Sequence, residues 1–497
     1  MTAKVLMVQG SSSSAGKSLL VGALCRIYAR RGLRVAPFKA QNMSNNAAVC
    51  PDGSEIGRAQ ALQARAAGIE PSAQINPVLI KPEADARSQI IVLGRVWRTL
   101  AAGEYYQHKP FLWSQVTAAL DTLREQYDLV IIEGAGSAAE LNLRHGDIVN
   151  MAVARYANAP VLLIGDIDRG GIFAQLLGTL WLLDPEDRAL VHGLVVNKFR
   201  GDLALFADGV QIIEEKGNVP VLGVIPYLRD LYLPDEDAVS IEKPAAPAPL
   251  PPDGIDLAVL RFPRIANFDD FDPLRAEPGV RLRYVASAQE LGQPDAILLP
   301  GTKSTLADLG WLRASGLAQA VCDFAARGGH VVGICGGFQM LGESLHDPQH
   351  IESALEQADG LGLLPLRTQF LAQKMTTRTR ARLHSRVGWL NPLRGQALDG
   401  YEIHLGETQG GDPLLEIPAH SRLDGAVSAD GNIWGCYLHG LFGNDDFRHA
   451  WLKHLGWTGA GATPSEASLL DASLEALADA VESALDMDLL EKIIWES

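Results

Sequence analysis

Two short stretches hold residues whose types and spacing could do chemistry. In "VQGSSSSAGKSLL", which begins at Val8, Gly10 and Gly16 bracket five residues, Ser11 to Ala15, and Lys17 and Ser18 follow at once. The common phosphate-binding loop, G-x-x-x-x-G-K-[ST], has four residues between its glycines. The chemistry tolerates one more. Backbone N–H groups of the loop and of the helix after it can surround phosphate oxygens, Lys17 can neutralise β/γ charge, and Ser18 can hold Mg²⁺. The competing reading is a serine-rich turn that imitates such a site. In "GHVVGICGGFQMLG", Cys335 lies among Gly333, Gly336 and Gly337. Small neighbours permit the sharp turn of a nucleophile elbow, and a helix N-terminus beside the sulfur favours thiolate. An inert buried cysteine has no need of such neighbours.

These groups require particular elements to position them. "KVLMVQG" running into "GSSSSAGKSLLVGALCRIYARRG" reads as strand, loop and helix, the context in which the loop motif becomes a site. "DLVIIEGAGS" ends a buried strand in Glu133, where an acid can hold Mg²⁺ directly or through water. "GLRVAPFKAQN" places Lys39 just past a second strand, either to meet a transferring phosphoryl group or as a solvated lysine. A thiolate needs a proton shuttle, and "GCYLHGLF" offers His439 beyond another strand, distant in sequence as such partners usually are. The N–H of Gly336, with one from "LLPGTKS" near Gly301 or Thr302, can form an oxyanion hole.

Runs apolar on both faces recur through the chain: "DLVIIEG", "APVLLIGD" and "HGLVVNK", then "DLAVLRFP", "DAILLPG", "GHVVGICGG" and "IWGCYLHG". Alternating with helical stretches, they predict two doubly wound α/β domains with mainly parallel sheets. "EKPAAPAPLPPDG", from Glu242 to Gly254, favours an extended spacer. The expected division is 1–241, a linker at 242–254, 255–458, and a helical tail at 459–497. In that tail Leu470, Leu474, Leu477, Val481 and Leu485 recur at helical spacing with acids on the other faces, as for a helix packed on the protein's own surface.

A chain of 497 residues, 47% hydrophobic and 21% charged, has the composition of a soluble protein too long for one core. Its net charge of −16 disfavours nucleic acid and anionic membranes as partners, and an anionic substrate would need a local basic pocket. "MTAKVLMVQG" has too short an apolar run for a signal peptide, and no stretch approaches membrane-spanning length. The five cysteines are scattered and lack metal-ligand spacing, which points to a reducing cytoplasm and at most one special thiol.

The five-residue loop, the strand ending in E-G-A-G and F-K after the second strand together resemble dethiobiotin synthetase and its relatives. That resemblance implies a P-loop NTPase-like enzyme that uses ATP to activate a carboxylate as an acyl phosphate, with the longer loop normal. "FKAQNMSNNAAVCPDGSEIGRAQALQARAAG" (Phe38 to Gly68) and "GDIDRGGIFA" (Gly165 to Ala174) resemble the synthetase half of the cobyric acid synthase family, which amidates corrinoid carboxylates in cobalamin biosynthesis. The resemblance implies ATP at Gly10, Ser14, Gly16, Lys17, Ser18 and Lys39, with the base at Asn197 of "VVNKFRGD", and Mg²⁺ at Ser18 and Glu133. Asn42, and Lys81, Arg87 and Arg95 of "NPVLIKPEADARSQIIVLGR", are candidates to meet a polycarboxylate; ordinary surface charge is the other reading of these cations.

G-x-C-x-G-x-Q with a distant histidine resembles the class I glutamine amidotransferases, whose fold is flavodoxin-like. In them a cysteine forms a glutamyl thioester and ammonia leaves. Carried over, this makes Cys335 and His439 catalytic, and Gly301, Gly336 and Gln339 the oxyanion and glutamine contacts. Most members have glutamate two residues after the histidine, where this chain has Leu441. That loss resembles the subgroup holding cobyric acid synthase and cobyrinate a,c-diamide synthase. Glu402 and His404 of "GYEIHLG" are possible substitute partners.

The resemblance covers almost the whole chain. It implies ATP- and L-glutamine-dependent amidation of the b, d, e and g carboxylates of (adenosyl)cobyrinic acid a,c-diamide. The a,c-diamide synthases share both halves and are the nearest rival, whereas relatives that amidate a peptidoglycan precursor split the activities between chains. A partitioning-type ATPase fused to an inert amidotransferase-like module is the rival from another class. Such ATPases usually carry an extra lysine early in the loop, where this chain has Ser11 and Ser12, and often end in a basic helix rather than an acidic one.

Overall fold

The computed structural model describes residues 2–84, 87–235, 249–459 and 464–496. Most of the proline- and alanine-rich stretch at 242–254 lies outside the described residues. The chain forms two compact units, one of Met1–Met43, Ser54–Leu233 and Ser468–Ser497, the other of Ser44–Gly53 and Pro234–Ala467. Ser44–Gly53 thus groups with the second unit although it precedes the spacer, and the C-terminal segment groups with the first.

The first unit is built on six strands: β1 (Lys4–Gly10), β2 (Val35–Phe38), β3 (Leu129–Glu133), β4 (Val161–Asp166), β5 (Val191–Phe199) and β6 (Val221–Pro226). Their order is β6-β5-β4-β1-β3-β2, and every pairing is parallel. β1 is central because both its faces are apolar. Val5 and Met7 join one buried cluster and Leu6 and Val8 the other, the alternation that strand geometry imposes. Helix α1 (Lys17–Arg30) follows the serine loop, and α2 (Arg58–Ala66) packs beside it. Next to the parallel sheet, Gln41–Met43, Val78–Ala84, Arg87–Val92 and Arg95–Ala101 form a smaller mixed sheet.

The second unit has the same logic. β7 (Ile255–Leu260), β8 (Val280–Val285), β9 (Ala296–Leu299) and β10 (His330–Ile334) are followed by the short helix α3 (Gly336–Met340). A long antiparallel hairpin of β11 (Leu366–Leu383) and β12 (Ala397–Gly410) comes next, then β13 (Ala426–Val427) and β14 (Ile433–Cys436). The main sheet runs β8-β7-β9-β10-β14-β13, parallel except for the β13 edge. The hairpin belongs to a separate sheet. Its first strand alternates buried and exposed residues, as expected of a sheet with one wet face.

The C-terminal helical segment is made in two parts, α4 (Glu466–Ala484) and α5 (Met487–Glu496). They break where Leu485 bridges to Gly223 and the Asp486 N–H donates to the Leu222 carbonyl at 2.7 Å. Leu474, Leu477, Val481, Leu490 and Ile494 bury against Leu20, Leu24 and Ile27 of α1. The acids beside this stripe meet arginines at the end of α1 and just after it. Arg26 pairs with Asp471 and Glu475, Arg30 with Glu475, Asp479 and Glu482, and Arg31 with Glu482 and Glu491. Exposed pairs of this kind contribute little singly, so the apolar stripe carries the attachment. Leu474 is fully buried, and Leu474→Ala should destabilise the first unit by about 2–4 kcal/mol in urea unfolding; an unchanged midpoint would mean that the tail does not stabilise it.

Candidate functional site

In the first unit, the serine loop leaves the end of β1 and turns into α1 at Gly16, whose φ of 102° suits a residue without Cβ. The turn is braced from β5. Asn197 Nδ2 donates to the Ala15 carbonyl at 2.9 Å, and Lys198 Nζ to the Ser14 carbonyl at 2.7 Å. Lys17 Nζ donates to the carbonyls of Ser12 at 3.2 Å and Gly136 at 2.8 Å, so its ammonium is held across the loop. Gly10 is close enough that a Cβ there would lie 2.8 Å from that nitrogen.

Glu133, almost wholly buried at the end of β3, joins the other groups. Its Oε1 accepts from Ser18 Oγ at 2.8 Å and lies 2.8 Å from Lys39 Nζ, and its Oε2 accepts from Gln63 Nε2 at 2.5 Å. Lys39 is therefore a buried partner of Glu133 rather than a solvated surface lysine. Gln63, one α2 turn after Asn42's partner Gln60, carried no sequence signal of its own. A hydroxyl and a carboxylate side by side are hard oxygen donors, the set that suits Mg²⁺, which uses one or two protein ligands and takes the rest from phosphate and water. No group of three or more His, Cys, Asp or Glu suited to a metal occurs among the described residues.

The residues expected to meet substrate are placed differently. Lys81 is buried in an ion pair with Glu55 at 2.6 Å, so its charge is already neutralised. Asn42 Nδ2 donates to Gln60 Oε1 at 2.8 Å. Arg87 is largely exposed and lies 3.5 Å from a Glu83 carboxylate oxygen. Asn197, expected at the base, donates its amide to the loop.

In the second unit, Cys335 stands between β10 and α3 with φ 52° and ψ −110°, an unusual conformation for a residue with a side chain. The turn depends on the absence of side chains around it, since a Cβ on Gly337 would run into the Leu299 carbonyl. Cys335 is buried, and its Sγ lies 3.5 Å from the Ile403 carbonyl oxygen. His439 follows β14 and comes beside Cys335, which helps to raise its pKa. A Cβ on Gly301 would lie 3.1 Å from His439 Cε1 and 3.7 Å from Cys335 Cβ, so this glycine keeps the space beside the two side chains open. A Cβ on Gly336 would lie 3.2 Å from the Thr302 nitrogen, which brings the two expected oxyanion-hole segments together.

Leu441 leaves the histidine without its usual downstream glutamate, and a different residue takes that place. Asp270, from the turn at Phe268–Phe271, accepts from His439 Nδ1 at 2.7 Å through Oδ2 and from the Gly440 N–H at 2.8 Å through Oδ1. The Tyr401 ring stacks on the imidazole at 5.1 Å between centroids. Burial alone would strip the proton from His439, but the Asp270 charge and hydrogen bond, together with Cys335, outweigh it and raise its pKa to about 10.

Glu402 and His404 do not serve His439. Glu402 accepts from Thr379 at 2.9 Å, Arg422 at 2.5 Å and His404 at 3.3 Å. Burial opposes its charge, yet the bonds from His404 and Arg422 prevail and hold the carboxyl at about 2. Gln339 is likewise turned inward. Its Nε2 donates to the Leu405 carbonyl at 2.9 Å and to Tyr437 at 3.0 Å, while its Oε1 accepts from Thr305 at 2.9 Å.

With the geometry in hand, known proteins can be compared. Residues 6–240 match the family described as CobQ/CobB/MinD/ParA nucleotide binding domain, and residues 256–447 match the CobB/CobQ-like glutamine amidotransferase domain. Cobyric acid synthase of Chloroflexus aggregans is 56% identical over 502 residues, covering 99% of both chains. The protein of that name from Roseiflexus castenholzii is 56% identical over 465 residues, covering 92% of this chain and 93% of its own. That of Sorangium cellulosum is 50% identical over 517 residues, covering 99% of each.

Asp270→Asn removes the charge that holds the imidazolium, so His439 should lose its proton at lower pH. The expected result is a fall in glutaminase kcat/KM of roughly 10²–10⁴-fold, with the alkaline limb of the pH profile displaced to lower pH. A profile and rate like those of the unaltered protein would remove Asp270 from the site.

Proposed function

The chain belongs to the cobyric acid synthase family, glutamine-dependent carbon–nitrogen ligases, and from that membership we propose that it amidates the b, d, e and g carboxylates of (adenosyl)cobyrinic acid a,c-diamide. One observation carries the reading: a single chain holds both a braced phosphate loop ending at Lys17 and Ser18 and a thiol–imidazole–carboxylate row, Cys335–His439–Asp270. The first makes a carboxylate reactive and the second releases nitrogen to capture it.

At the loop, a carboxylate oxygen of the corrinoid attacks the γ-phosphorus of ATP, ADP leaves, and an acyl phosphate forms. Loop N–H groups, Lys17 and Lys39 stabilise charge on the transferring group. Ser18 and Glu133 would hold Mg²⁺, which supplies further neutralisation of that charge. At the thiol, Sγ attacks the side-chain carbonyl of L-glutamine. His439 delivers a proton to the departing ammonia, and Gly336 with Gly301 or Thr302 cradles the oxyanion. Water then frees glutamate from the thioester. Neutral ammonia attacks the acyl carbon and phosphate leaves.

Five free cysteines support a reducing, cytoplasmic setting. Among the described residues no helix is long and apolar enough to cross a membrane.

Mass spectrometry of the corrinoid tests the reading. The a,c-diamide should gain up to four amides in steps that require both ATP and glutamine; amidation of cobyrinic acid itself would favour an a,c-diamide synthase. Cys335→Ala should abolish glutamine use yet retain activity with added ammonia. Equal loss of both would show that ammonia release is not a separate half-reaction.

A further inference from the structure

Three of the four substrate candidates, Arg95 being the exception, share a feature with a spatial meaning. Asn42, Lys81 and Arg87 lie on the strands of the mixed sheet in the first unit, and their immediate neighbours Met43, Ile80 and Ser88 line a cavity of about 510 Å³. Adjacent residues of a strand face opposite sides. Met43 pairs with Ile80, Ile80 with Ile90, and Ser88 with Leu100, so these residues form one continuous wall. Lys81 and Asn42 point to the other side and are engaged there by Glu55 and Gln60.

The phosphate loop also borders the cavity. Ser13 and Gly136 belong to its lining, and the Gly136 carbonyl accepts from Lys17 Nζ. Around it stand apolar side chains left open to water: Met43 at 60% exposure, Tyr106 and Leu141 at 50%, and Leu143 at 44%. So many large exposed apolar groups around one cavity mark a binding surface. The arginines nearby are already committed. Arg144 pairs with Asp184 and Asp187, and Arg155 with Asp187. Lys109, which donates to the Gly146 carbonyl at 2.7 Å and lies 4.6 Å over the Tyr106 ring, adds positive charge to the lining.

We propose that this cavity receives one carboxylate arm and the adjoining ring edge of the corrinoid acid, while Met43, Tyr106, Leu141 and Leu143 support the face of the macrocycle left outside. The inference rests on the function proposed above and gives it a location. The cavity is of ordinary small-ligand size and smaller than a corrin ring with its arms, so most of the ring stays outside. An arm that enters ends beside Ser13 and Gly136, where its carboxylate meets the phosphoryl group held by Lys17. The wall offers apolar contact rather than a fixed set of carboxylate-pairing cations. It therefore selects an arm by reach rather than by pairing with cations.

The test uses the full-length protein, cobyrinic acid a,c-diamide as probe, and equilibrium dialysis read by corrin absorbance. A Leu141→Asp/Leu143→Asp double variant and, separately, Met43→Glu place charge under the ring. Each should weaken corrinoid binding about tenfold or more and raise KM for the corrinoid in step, with KM for ATP changed less than about twofold. Wild-type corrinoid affinity in both variants overturns the location and leaves the proposed function standing. If the unaltered protein binds no corrinoid acid, the function and the location fall together.

Discussion

Parallel pairing is the constraint on which both units depend. It aligns the carboxyl ends of neighbouring strands along one edge, and ligand sites of open α/β sheets lie there. In the first unit β1 is flanked by β3 and β4, so Gly10, Glu133 and Asp166 emerge side by side. In the second, β10 is flanked by β9 and β14, and Cys335, Gly301 and His439 emerge in the same relation. Residues far apart in the chain become neighbours because the sheet leaves them no other place. Removing the register between Ile334 and Cys436 would separate thiol from imidazole without touching either.

The sequence shows what is local and hides what is not. The loop glycines, Lys17, Ser18 and the elbow around Cys335 act within a few residues of themselves, so their spacing is itself the signal. The same holds for the buried strands, whose apolar runs are unbroken. Asp270 is different. It lies in "NFDDFDP" among three other residues that could pair with a histidine or cap a turn, and only the folded chain selects it. Lys81 and Arg87 illustrate a second blind spot. Their chemistry was read from residue type, but strand parity decided the side, and the apolar neighbours hold the cavity. The β11–β12 hairpin escaped for a third reason. "TQFLAQKMTTRTRARL" alternates wet and dry residues and carries too many cations to resemble the buried strands around it.

Burial raises the stakes of each charge at the thiol site. An isolated imidazolium at 2% exposure would give up its proton, and the histidine keeps it because Asp270 is equally enclosed and bonds it directly. Glu402 shows the same economy of partners: three donors surround one carboxylate, and Arg422 and His404 compensate the cost of enclosing it. This second cluster frames the β12 segment whose Ile403 carbonyl faces Cys335 and whose Leu405 carbonyl secures Gln339. The Cys335 sulfur thus sits between two charge clusters, one holding the imidazole and one beside the backbone opposite.

The extra residue of the serine loop has a physical use. A peptide's C=O and N–H point in opposite directions, so fixing a carbonyl also aims the next residue's N–H. Lys198 holds the Ser14 carbonyl and Asn197 the Ala15 carbonyl, both from the strand end beside the loop. The N–H groups of Ala15 and Gly16 are thereby directed to the other side of the turn. Ser14 adopts a φ of 58°, which the additional residue makes room for before the chain enters α1. A shorter loop offers fewer carbonyls to anchor. Here two side chains of one strand fix two successive carbonyls of the turn, and so the orientation of the peptides that carry them.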